Sequence, residues 1–302
     1  DRVEIRNDPS FGDMTIDFRM SAGFQVHFLV GDNGSGKTRV LGLVHAAVTR
    51  SMDEQLFAVG QKVHVTLASD AGNTGTASIQ RNPTGWAIPK ATVVDVAGKT
   101  AELETGSTPP TSCIYLPVEA GFAVSRISSS TGRVPQDDGL VSERGESLNT
   151  RIPQLLVDLK HLDNADIARL YESNNNSIPS GKPVALRLDR FRDAYSFLMD
   201  GAKTFKDVRQ EDGVHRVIFG DDSGNECDLA DLSAGEKQVV FRLGFLLSRI
   251  ESLEAGMVLI DEPEMSLHPG WQARYIPTLE KLFGGSEIQL IVATHSPFIF
   301  GN

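Results

Sequence analysis

The chain is 302 residues long, 40% hydrophobic and 23% charged, and its formal net charge is −11. This is the profile of an ordinary globular protein with ample material for a buried core, in one large domain or two smaller ones. It excludes a protein that coats nucleic acid over its whole surface, and no apolar run reaches the roughly 18–20 residues of a membrane span.

The N-terminal "VEIRN" and "MTIDFRM" alternate apolar and polar residues, the period of half-buried strands. The opening "DRVEIRNDPS" shows no charged-then-apolar leader and no Met, so an initiator or short leader is expected to be removed or outside the numbering. "FQVHFLV" (24–30) is almost continuously apolar and predicts a strand covered on both faces. It runs into a glycine loop, after which "TRVLGLVHAAV" (38–48) predicts a helix. Between 61 and 96 the period returns to two, with Gly, Asn and Pro between the runs, as in an antiparallel β-lobe. "SCIYLPV" (112–118) predicts one more compact strand, and 123–150, rich in Ser, Gly and charge, a mobile loop.

Helical spacing marks 152–172 and 183–200, separated by the breaker "ESNNNSIPSGKP". "HRVIFG" (215–220) resumes strand character, and "QVVFRLGFLLSRI" (238–250) is helical. "MVLID" (257–261) and "IQLIVAT" (288–294) are buried-strand runs flanking a helix over 270–284. Strand–helix–strand alternation at both ends, with an inserted middle, predicts an α/β core. Its boundaries are expected at 1–60 and 211–302 for the core, 61–111 for the β-lobe, and 112–210 for a strand, loop and helical insertion carrying the signature lobe. Cys113 and Cys227 form no metal spacing or disulfide framework, which predicts a reducing, cytoplasmic setting.

Residues 31–38, "GDNGSGKT", fit G-x-x-x-x-G-K-[ST]. Glycines at this spacing let successive N–H groups turn inward around phosphates, ahead of a helix that offers its positive end. Asn33, Gly34, Ser35, Gly36, Lys37 and Thr38 are the expected nucleotide contacts. Lys37 would reach the β- and γ-phosphates, and the Thr38 hydroxyl would coordinate Mg²⁺. Asp261 and Glu262 lie where a buried strand emerges. Asp261 is suited to hold Mg²⁺ and Glu262 to take a proton from an attacking water. His295 ends the next strand, at the edge where open α/β sheets bind ligands, and could sense or stabilise a γ-phosphate.

A second glycine turn, "LSAGEKQ" (232–238), opens another helix. Ser233 offers a hydroxyl there, Gly235 an N–H, and the helix its positive end. Residues 182–209 hold seven Lys/Arg against four Asp/Glu, which fits either a nucleic-acid contact or, more plainly, a solvated mixed-charge helix.

Taken together, Gly31–Thr38, Leu232–Gln238, Val258–Glu264 and Ala293–Pro297 resemble an ABC-type ATPase in order and spacing. "DEPEMSLHP" and "ATHSPFIF" look like the RecF/SMC-related branch, and most like the ATPase parts of OLD-family nucleases and Septu-type PtuA anti-phage proteins. The resemblance covers roughly 1–50 and 212–302 and implies a P-loop fold with a β-lobe and a helical insertion. It further implies ATP and Mg²⁺ as ligands and a homodimer, or higher oligomer, that sandwiches two ATP molecules. Glu262 and His295 would be catalytic, with Ser233 and Gly235 capping the γ-phosphate of the sister copy. Ser266 and His268 are expected dimer contacts, and Glu119 stands where the family's Q-loop glutamine falls. No long coiled coil fits in 150–210, and no toprim nuclease follows, which implies a separate or truncated nuclease effector. Two rivals remain: a scaffold glued by ATP with little turnover, and a transporter's nucleotide-binding subunit, which "EPEMSLHP" disfavours.

Overall fold

A computed structural model describes residues 2–18, 23–49, 51–68, 74–87, 92–94, 99–102, 112–118, 151–173, 186–249, 255–283 and 286–300. Glu119 and the 123–150 loop lie outside these residues. In chain order come β1 (Arg2–Asp8), β2 (Gly12–Asp17), β3 (Gln25–Val30), α1 (Lys37–Thr49), β4 (Lys62–Ala68), β5 (Thr74–Asn82) and β6 (Gly85–Ala87). Then follow β7 (Thr92–Val94), β8 (Thr100–Glu102), β9 (Ser112–Leu116), α2 (Arg151–Ser173), α3 (Arg187–Leu198), β10 (Thr204–Glu211), β11 (Val214–Gly220) and β12 (Glu226–Asp228). The chain continues with α4 (Ala234–Arg249), β13 (Ala255–Asp261), α5 (Pro269–Phe283) and β14 (Glu287–Thr294).

Two compact units result: Asp1–Val118 with Ser252–Pro263 and Gly285–Ser296, and Glu119–Glu251 with Glu264–Gly284 and Pro297–Asn302. This differs from the three-part division read from the sequence. The antiparallel strands pack with the glycine-loop helix in the first unit, while 211–251 packs with the inserted helices in the second.

In the first unit a parallel sheet runs β3-β14-β13-β9. The two central strands are almost wholly aliphatic and buried on both faces, as parallel strands under helices require. β3 does not meet its expectation of full burial. It is an edge strand, half-buried along its length, with Val30 62% exposed as it enters the loop. A second, antiparallel sheet is ordered β2-β1-β4-β5-β7-β8, with β6 on β5. The N-terminal hairpin therefore joins the β-lobe, because β1 registers against β4 (Val3 opposite Val65). Val3, Ile5, Val63, Val65 and Ile79 face inward from this sheet, and Met257, Leu259 and Ile291 come from the other. Leu41, Val44 and Ala47 of α1 belong to the same core, so both sheets fix the helix behind the glycine loop.

In the second unit, β10, β11 and β12 form an antiparallel sheet under α3. The ring contacts Phe191–Phe205 and Tyr195–Phe219, at 5.3 and 5.1 Å, join helix to sheet, and Phe205–Phe219, at 5.8 Å, links the two strands beneath. The start of α3 has no cap of its own. Asp163 of α2 supplies one, accepting from the N–H groups of Arg187 and Leu188, both at 3.0 Å. The basic segment 182–209 is not one helix: Asp200 and Gly201, at φ 58° and 75°, end α3 and turn the chain into β10. Four of its cations are ion-paired within the unit. Arg187 pairs with Asp163 and Asp166, Arg192 with Asp189, Lys203 with Glu236, and Arg209 with Glu226. These pairs favour the mixed-charge reading for the four residues.

Candidate active site

Unit one gathers the glycine loop, Asp261, Glu262 and His295 at the carboxyl ends of its parallel strands, the usual ligand edge of such sheets. Gly34 and Gly36 have φ of 82° and 92°, left-handed angles that a side chain would strain. A Cβ on Gly31 would stand 2.7 Å from Ser35 Oγ, so the loop closes on itself tightly. Asn33, Gly34 and Ser35 are exposed, as is Thr38 in the first turn of α1. Lys37 is buried, and its Nζ donates to the carbonyls of Gly31 at 2.8 Å and Asp32 at 3.1 Å.

The same ammonium lies 3.1 Å from Glu262 Oε1. Glu262 Oε2 is hydrogen-bonded to His295 Nδ1, so cation, carboxylate and imidazole form one chain. Glu262 takes φ 43° and donates its N–H to the Ala293 carbonyl at 2.8 Å. A non-glycine residue held at such an angle stores backbone strain, a frequent mark of a functional site.

Asp261 is wholly buried one residue before. Burial pushes its carboxyl above the ordinary aspartate range and the charge of Glu262 adds to this, while the nearby Thr38 hydroxyl, Tyr115 and Lys37 pull it back. Tyr115 donates to Oδ2 at 3.4 Å, but Oδ1 has no hydrogen-bond partner among the described residues. A buried carboxylate oxygen without a partner is costly unless something occupies it. Hard oxygen donors from Asp261 and Thr38 suit Mg²⁺, so these residues fit the cation that sequence reasoning assigned to them. Tyr115 was missed. It comes to Asp261 because β9 pairs with β13, Tyr115 opposite Leu259, and nothing local in "SCIYLPV" announces that pairing.

Ser233 and Gly235 belong to the second unit and group there with Ser266, not with the glycine loop. Ser233 is exposed and caps α4 in a reciprocal box with Glu236. Gly235 is buried, and a Cβ there would stand 2.3 Å from the Ser266 carbonyl oxygen. This position therefore needs glycine for a close backbone approach, besides any N–H it offers to an anion. Ser266, at φ 64°, and His268 are exposed, with His268 Nδ1 accepting from the Gly270 N–H at 3.2 Å.

Residues 131–301, more than half of the chain, match the family described as "AAA domain, putative AbiEii toxin, Type IV TA system". The chain belongs to this AAA family. The matched segment holds the second glycine turn, the acid pair and His295, and the glycine loop lies N-terminal to it. The retron Ec83 probable ATPase of Escherichia coli is 29% identical over 168 residues, covering 46% of this chain and 30% of that protein. The retron Vc95 probable ATPase of Vibrio cholerae serotype O1 biovar El Tor is 37% identical over 86 residues, 26% of this chain and 16% of that protein. The chain thus matches less than a third of the length of either relative. The Smc head domain with an extended coiled coil, bound to the C-terminal domain of ScpA derived from Pyrococcus furiosus, superposes with a TM-score of 0.51. That match has 12% identity and covers 99% of this chain and 90% of that one, which shows the P-loop fold. The chain is thus a member of this AAA family with the fold of an SMC head, and the two curated relatives are described as probable ATPases. No helix among the described residues is long and apolar enough to cross a membrane.

Proposed function

We propose that this AAA protein hydrolyses ATP in pockets shared between two copies, each sandwiching the nucleotide held by the other. The observation that carries the reading is the acid pair: Asp261 with a buried, unpartnered oxygen, and Glu262 ion-paired to the lysine of the glycine loop. Lys37 and the loop N–H groups grip the β- and γ-phosphates of ATP. Asp261 and Thr38 would hold Mg²⁺, which neutralises charge on those phosphates when bound. Glu262 accepts the proton of the attacking water as its oxygen bonds to the γ-phosphorus and ADP leaves. His295, hydrogen-bonded to Glu262, orients that carboxylate and stands beside the γ-phosphate. Ser233 and Gly235 of a sister copy close over the same phosphate, with the positive end of α4 behind them.

Hydrolysis opens the dimer and gates a nucleic-acid-directed effector in anti-phage defence. Support for that role is the wording of the motifs, similar to OLD-family and Septu-type ATPases, and the retron ATPases among the relatives. The test is phosphate release and native mass in ATP for wild type and Glu262→Gln. The account expects wild-type turnover, and in the variant a loss of release with ATP-bound dimer accumulating. Equal, near-zero rates with an intact dimer would favour an ATP-glued scaffold instead.

A further inference from the structure

The first turn of α4 has backbone N–H groups without intrahelical partners. Ser233 Oγ accepts from the Glu236 N–H at 3.3 Å, and Glu236 Oε2 accepts from the Ser233 N–H at 2.7 Å. The Ser233 hydroxyl also hydrogen-bonds the Glu236 carboxylate, so Glu236 holds both the backbone and the side chain of this exposed serine. Glu236 has a second oxygen, and Oε1 lies 2.8 Å from Lys203 Nζ.

Lys203 reaches this place from a distant stretch of chain, the left-handed Asp200–Gly201 turn between α3 and β10. The Glu236 side chain is 11% exposed and that of Lys203 31%, so water screens the pair only in part. Burial pushes the Glu236 carboxyl up, but Lys203 and the N–H and hydroxyl of Ser233 outweigh it and hold the group below its ordinary value. The carboxylate that grips the Ser233 backbone is thus itself anchored to another segment.

We propose that Lys203 is a positioning residue of the second glycine turn: through Glu236 it fixes the Ser233 backbone and aims the Ser233 hydroxyl at the γ-phosphate. This deepens the shared-pocket reading and rests on it. Lys203 touches no substrate and acts only through its neighbours.

Steady-state ATP hydrolysis by Lys203→Met, Lys203→Arg, Ser233→Ala and the Lys203→Met/Ser233→Ala double variant tests it. Lys203→Met should lower kcat roughly tenfold, the scale of a misaimed group, and leave KM for ATP near wild type because the grip lies on the glycine loop. Lys203→Arg should retain most of kcat. In the Ser233→Ala background, Lys203→Met should cost nothing further, since its path to the phosphate is already cut. Multiplying effects in the double variant, or a wild-type rate for Lys203→Met beside an impaired Ser233→Ala, would overturn the assignment. A wild-type rate for Ser233→Ala would instead sink the shared-pocket reading and take the Lys203 role with it. If Lys203→Met lacks a cooperative unfolding transition, Glu236→Gln, of the same shape without the charge, replaces it with the same expectations.

Discussion

Lys37 Nζ lies 3.1 Å from Glu262 Oε1, so the phosphate-gripping cation and the candidate base are ion-paired in a site where both side chains are about nine-tenths buried. Each gives the other the partner a buried charge requires. An arriving triphosphate must compete for that ammonium. Glu262→Gln removes the competitor and leaves the shape. It is expected to bind ATP severalfold tighter than wild type, read by titration with a fluorescent nucleotide, while phosphate release is lost. Weaker binding by the variant would show that the pair does not oppose nucleotide entry.

Asp261 has the opposite problem, because burial and the charge of Glu262 raise its pKa in the folded chain. A carboxyl raised on folding contributes stability that is complete below its unfolded pKa and lost as pH rises through its folded one. Asp261→Asn removes that loss. Without nucleotide and magnesium the variant should melt roughly 2 °C above wild type at neutral pH. The gain should shrink as pH falls toward the ordinary carboxylate range, while magnesium-dependent turnover is abolished. Calorimetry across pH reads the first outcome and phosphate release the second.

Gly235→Ala would put a methyl group 2.3 Å from the backbone oxygen of Ser266, and neither segment is a flexible side-chain end. The clash should cost about 2 kcal/mol, as overpacking does. Urea unfolding measures it. Nucleotide binding to the glycine loop should persist while turnover falls.

Asp8 anchors the glycine-loop helix from behind. Its fully buried side chain accepts from Arg39 Nε at 2.6 Å, Gln61 Nε2 at 2.8 Å and the Ser10 N–H at 2.7 Å. Asp8→Ala strands Arg39 and Gln61 and should destabilise the fold by about 3 kcal/mol, the scale of breaking a buried pair from one side. A shift in urea midpoint without a change in slope is the expected signature.

The parts legible in the sequence are those whose chemistry is local. The glycine spacing of 31–38, the paired acids after "MVLI" and the Ser-Ala-Gly turn that opens a helix at 233–235 all act within a few residues of themselves. What escaped depends on pairing between distant segments. The edge position of β3, the union of β1 with β4, Tyr115 beside Asp261, the Gly235–Ser266 approach and the Lys203 anchor have no short-range signal. The basic stretch at 182–209 left two readings open for the same reason, since counter-charges at Asp163, Asp166, Glu226 and Glu236 lie outside it.

The shared pocket is tested most directly by mixing two inactive variants, Lys37→Ala and Ser233→Arg, and measuring ATP turnover. Random pairing in a two-fold dimer makes half of the assemblies mixed, each with one pocket intact, so recovery to about a quarter of the wild-type rate is expected. A mixture as inactive as either variant alone, under conditions where native mass confirms exchange of protomers, would contradict the account.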